Sequence, residues 1–77
     1  MHKKQIKLKR LVAALKILGF VERQSGSHGI FKDPKTGLFV TLPMGQKDVP
    51  IVYMKSVFKQ IVDRGIIDEE DFWELLK

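Results

Sequence analysis

The 77-residue sequence predicts an α+β domain of order αβββα(α): two layers, with helices on one face of a three-stranded antiparallel sheet. Two observations carry the prediction. Apolar residues recur at helical spacing near both ends of the chain, at Leu8, Leu11, Val12, Leu15 and Leu18, and again at Met54, Val57, Phe58 and Ile61. Between them lie three short runs joined by the compact turns Ser25-Gly26-Ser27 and Pro34-Lys35-Thr36-Gly37, the pattern of an antiparallel meander.

The first helix is expected over residues 8–18, with Gly19 as a stop that can take positive φ and Phe20 packing back onto it. Strands follow over 20–24, 28–33 and 38–42. Pro34 presets φ early in the second turn and Gly37 is free at its end, while Pro43 ends the third strand. The second helix begins near Val52 and stops at Gly65. Asp68 is the expected N-cap of a short acidic helix over 68–77, in which Phe72, Leu75 and Leu76 share a face and the acids sit where the helix dipole favours them. Phe31, Phe58, Trp73 and the leucines are read as core. Residues 1–77 are expected to form a single domain, with residues 1–7 as a flexible basic segment and His2 disordered at its end.

Composition limits what such a chain can do. One small core fits in this length, so a two-domain enzyme with an enclosed substrate cavity is excluded. With no cysteine there is no disulfide framework, thiol nucleophile or Cys-ligated zinc, which fits a reducing compartment. Lys or Arg interrupts each apolar stretch of the N-terminal half, and no signal-peptide pattern follows the basic start. The expectation is a soluble, cytoplasmic domain without a membrane role.

The formal charge of +5 is unevenly spread. The first 62 residues sum to +9 and the remainder, rich in Asp and Glu from Asp63 to Glu74, to −4. A polyanion would be drawn to the basic part by a salt-sensitive, sequence-independent attraction. Ordinary solubilising charge explains the total equally well.

His28 is the histidine with chemical promise, because a Gly-containing turn delivers its imidazole to the first residue of a strand. On an ideal strand it shares a face with Ile30 and Lys32 while Phe31 points into the core. A lone exposed histidine is more often only a surface residue. Other schemes lack their parts: no metal-ligand spacing, no orienting acid for a Ser27-His28 nucleophile, and no phosphate-cradling glycine loop.

Together, Gly19-Phe20, Arg23-Gln24-Ser25-Gly26-Ser27-His28, Phe31, Val40-Thr41-Leu42-Pro43, Lys47-Asp48-Val49-Pro50 and Ser56-Val57-Phe58-Lys59-Gln60-Ile61 form a familiar set. The chain resembles the HicA family of toxins, small mRNA interferases of HicA–HicB toxin–antitoxin pairs, also described as YcfA-like proteins. The likeness covers most of residues 8–67. It implies a fold similar to a double-stranded-RNA-binding domain, RNA cleavage, and dependence of that activity on His28. The chain departs from the family pattern at Gly29, where many members carry a large residue, and at Met44, where many carry histidine. A Val52-Tyr53 pair also stands where the second helix often opens with Gly-Thr.

On this resemblance the expected function is that of a type II toxin, a metal-independent endoribonuclease needing no cofactor, with His28 as general acid or base. Arg23, Ser27, Lys32 and the N-terminal Lys3, Lys4 and Lys7 are the candidate RNA contacts. Ile30 and Phe39 would form an apolar patch for a HicB-like antitoxin. The alternative is a non-catalytic RNA-binding module of the double-stranded-RNA-binding type, using the same basic surface. A DNA-binding helix-turn-helix regulator is disfavoured, because strands occupy the space between the helices.

Overall fold

A computed structural model describes residues 5–77, so His2, Lys3 and Lys4 lie outside the described residues. The elements are α1 (Leu8–Ile17), β1 (Val21–Ser25), β2 (His28–Lys32), β3 (Phe39–Pro43), α2 (Ile51–Ile61) and α3 (Glu69–Leu76). The α+β reading holds: β2 lies between β1 and β3, both antiparallel to it.

Alternation along the strands explains the two layers. Phe31, Val40 and Leu42 point inward and are at most 3% exposed, while His28, Lys32, Phe39 and Thr41 point out. Leu11 and Leu15 of α1, Val57 and Ile61 of α2, and Phe72 of α3 join the inward-pointing residues in one buried core cluster. The stripes have the helical spacing of the sequence, and full burial of each such side chain contributes about 1.5–3 kcal/mol.

Differences at the element ends have local causes. The Phe20 amide donates to Leu15 O at 2.9 Å and the Gly19 amide to Lys16 O at 3.0 Å, closing a Schellman cap with Gly19 at φ 99°. Phe20 is thereby consumed by the helix end, and β1 starts one residue later than expected. The same device follows α2, where the Ile66 amide donates to Ile61 O at 3.0 Å and Gly65 has φ 80°. Asp68 occupies the N-cap position of α3, but its side chain makes no capping hydrogen bond; the acids of the first turn, Glu69, Glu70 and Asp71, face the helix dipole instead.

Asp33 leaves β2 to organise the turn. It is 6% exposed, and its carboxylate accepts from the Lys35 amide at 3.1 Å and the Thr36 hydroxyl at 2.9 Å. The main chain closes around it, the Gly37 amide donating to Asp33 O at 2.7 Å and the Asp33 amide to Leu38 O at 2.8 Å.

Two expectations are corrected. Residues 5–7 are not a free basic segment: Ile6 is buried, Val49 donates to Ile6 O at 2.8 Å, and Leu8 donates to Lys47 O at 2.9 Å. One apolar side chain anchors them. Trp73 is not core but 38% exposed, lying 5.1 Å from the Phe58 ring, which also meets Phe72 edge-on at 5.1 Å. Phe72 takes the inward position on α3, and its sequence neighbour is turned to the rim of the same contact.

Gly29 and Met44 form one packing unit. A Cβ at position 29 would stand 2.8 Å from Met44 Sδ and 3.2 Å from Phe31 Cε1, so the Met44 side chain fills the room a larger residue at 29 would take. The two departures from the family pattern thus meet in space.

Two outcomes are expected in urea unfolding. Asp33→Ala loses about 2 kcal/mol, since two hydrogen bonds to a buried carboxylate disappear. In a double-mutant cycle, Gly29→Ala is better tolerated by about 1 kcal/mol in a Met44→Ala background than in the native one.

Candidate functional site

The face of the sheet turned away from the helices is uncovered, and the pairing register fixes what stands on it. Its three cross-strand rows are Val21, Lys32 and Phe39; Arg23, Ile30 and Thr41; and Ser25, His28 and Pro43. His28 is exposed at the end of β2, next to the turn at Gly26, whose φ of 63° lets the chain reverse directly into it. The sequence expectation that His28, Ile30 and Lys32 share a face opposite Phe31 is met.

Register also ranks the neighbours of the imidazole. Arg23 is opposite Ile30 and hence diagonal to His28, a separation of about 7–8 Å between backbone positions. Thr41 stands in the same diagonal relation from β3, an exposed hydroxyl that reading the sequence for charges passes over. Lys32 is four residues along the strand, about 13 Å away, so it serves a different part of any extended ligand. Ser27 is exposed in the turn, and its carbonyl accepts from the Met44 amide at 2.9 Å. Lys7 is not brought to this face: its backbone bridges Asp48 on the other side of the β3–α2 connection.

The face is cationic by arrangement. None of the nine residues paired in these rows is an acid. Glu22, the acid within β1, points the other way and lies 3.2 Å from Lys16 of α1. Among the described residues Arg23 and Lys32 make no ion pair, and Arg23 faces Ile30 rather than a carboxylate across the strands. The acidic residues of α3 belong to the helical layer.

The same face carries an apolar strip. Phe39 is 57% exposed and Val21 is 54% exposed, on either side of Lys32, and Ile30 is half-buried in the next row, diagonal to both. Exposed aromatic and aliphatic surface of this kind, flanked by charge, suits a protein partner. Ile30 and Phe39 lie on the open face, as the strand alternation predicts.

Among the described residues no three His, Asp or Glu side chains converge into a metal-binding group, and no helix is long and apolar enough to cross a membrane. A family model described as the HicA toxin of bacterial toxin–antitoxin matches residues 8–61. That span runs from the first residue of α1 to the last of α2 and includes the whole sheet with His28. No curated protein matches the chain. With more than half its length matched by the family, and with the αβββα order complete within the match, the chain belongs to the HicA toxins of bacterial toxin–antitoxin systems, a membership that implies a paired antitoxin.

Proposed function

We propose that this toxin is a metal-independent endoribonuclease that cleaves mRNA in the cytoplasm, acting as one domain with His28 as general acid or base. The observation that supports it is the exposed imidazole on a sheet face that carries Arg23 and Lys32 and no acid. RNA brings its own nucleophile. Attack of a 2′-hydroxyl on the adjacent phosphorus forms an O2′–P bond and breaks the P–O5′ bond, leaving a cyclic phosphate and a 5′-hydroxyl. One proton leaves O2′ and one reaches O5′; His28 moves one of them and water exchanges the other. A single imidazole supplies about 10²- to 10⁴-fold. In this reading Arg23, on the diagonal from His28, binds the phosphate whose charge rises during attack, and Ser27 binds a neighbouring oxygen. Lys32 holds the strand further along.

The antitoxin is proposed to be a HicB-like protein that covers the strip of Val21, Ile30 and Phe39. In doing so it shields His28, which lies on the same face.

Purified protein incubated with RNA in EDTA should cleave it, and His28→Ala should cut the rate at least about 100-fold. The variant's unfolding free energy should stay within about 0.5 kcal/mol of the native protein's, because the imidazole is exposed. Equal cleavage by both proteins overturns the role of His28; RNA binding by both without cleavage by either favours the non-catalytic RNA-binding module.

For the antitoxin face, Phe39→Ala should leave growth arrest intact and weaken antitoxin binding about tenfold or more, as loss of an interfacial aromatic does. Titration of the two proteins by calorimetry reads this directly, and unchanged affinity would place the interface elsewhere.

A further inference from the structure

We propose that a groove at the start of α1 is a second RNA subsite, which seats the base of an unpaired nucleotide next to the one held at His28. The proposal rests on the ribonuclease reading and adds a preference for single-stranded RNA. The groove has a volume of about 790 Å³, within the roughly 300–1,000 Å³ typical of ligand sites. Its floor is apolar, with Val12, Met44 and Leu76 drawn from three separate parts of the chain.

The rim says what the occupant must be. Lys7, Lys9, Arg10 and Lys47 line it, and no acidic residue does. Among the described residues Lys7, Lys9 and Lys47 make no salt bridge, while Arg10 donates from Nη1 to the Lys77 carbonyl oxygen at 2.8 Å. Nor do Lys7, Lys9 and Arg10 help the helix: α1 has no acid in its first turn, where the macrodipole is already positive and cations are unfavourable. Four cations around an apolar floor complement a ligand that is anionic outside and flat and apolar within. A nucleotide meets both conditions, its phosphate on the rim and its base on the floor. Gln46, at the edge, offers an amide donor and acceptor to the edge of the base.

The walls are tied together before any ligand arrives. Val49 donates to Ile6 O at 2.8 Å and Leu8 to Lys47 O at 2.9 Å, so the start of α1 and the β3–α2 connection move as one. The groove also adjoins the site. Met44 follows Pro43, the cross-strand partner of His28, and its amide donates to Ser27 O at 2.9 Å. Consecutive nucleotides of one strand can therefore occupy the groove and reach His28 around the end of the sheet. A base inside a duplex cannot enter such a groove, so the subsite selects unpaired RNA. With no aromatic ring in the lining, the base gains apolar packing rather than stacking.

The test uses the full chain carrying His28→Ala, so that substrate survives, with Lys47→Glu and Gln46→Ala added separately. Both positions are exposed, so folding should be unaffected. Fluorescence anisotropy with a short single-stranded RNA should show about tenfold weaker binding for Lys47→Glu, and a slope of log affinity against log salt smaller by about 0.7 or more. Gln46→Ala should weaken binding of this oligonucleotide but not of an abasic one of equal charge. RNA should shift the amide NMR signals of Val12, Gln46 and Leu76. Unchanged affinity in Lys47→Glu, equal binding of duplex RNA, or groove shifts caused by the antitoxin and not by RNA would each overturn the proposal. The two readings fail separately. If the protein with His28 intact cleaves RNA while groove variants bind and cleave normally, only the groove assignment falls; if groove variants bind weakly but that protein never cleaves, only the ribonuclease reading does.

Discussion

The register of β2 between its two neighbours is the constraint on which the rest depends. A slip of one residue would turn every side chain of the strand to the other face, burying His28 and Lys32 and exposing Phe31. Burial of the Phe31 ring contributes about 1.5–3 kcal/mol, and the same register holds the imidazole outward. The strand is pinned at both ends. Gly26 allows the tight reversal before His28, and the buried carboxylate of Asp33 knots the turn after Lys32. An exposed histidine is thus positioned by groups that it never touches.

Charge is sorted by layer. Acids collect on α3, while Glu22 is turned inward to Lys16, leaving the open face with cations only. The apolar residues Val21, Ile30 and Phe39 share that face, so on the proposed function one surface would serve two ligands of different chemistry. An antitoxin needs no contact with the imidazole to exclude RNA. On the proposed function, covering Phe39 and Ile30 would remove the approach to Arg23 and His28, because the four lie in three successive rows of one sheet.

What could be read from the sequence was whatever local period encodes. Leu8, Leu11 and Leu15 marked α1, alternation at His28 and Phe31 gave the face of each, and Gly19 and Gly65 marked the helix ends. What could not be read is made by distant segments. Ile6 stands among lysines with no periodic partner, and its burial follows from pairing with residues 47–49, about forty positions away in the chain. The groove joins the start of α1, the residues after β3 and the end of α3, so no local pattern announces it. Trp73 was misread because hydrophobicity alone does not say which of two adjacent aromatics on a short helix faces inward. The role of Asp33 is legible in principle, since Asp before Pro and three residues before Thr is a turn signal, but the expected strand over 28–33 runs through it.

Met44 links the features that sequence reading left apart. Its amide holds the turn before His28, its sulfur lies over the space beside Gly29, and its side chain floors the groove. Phe31, the other neighbour of that space, is fully buried and has nowhere to go. A larger residue at position 29 must therefore displace the flexible, half-buried methionine, and the open direction leads into the groove. The size of the residue after His28 is in this way expressed in the shape of a surface on the far side of the strand. Glycine and methionine at these two positions are one packing choice, and it leaves the groove open.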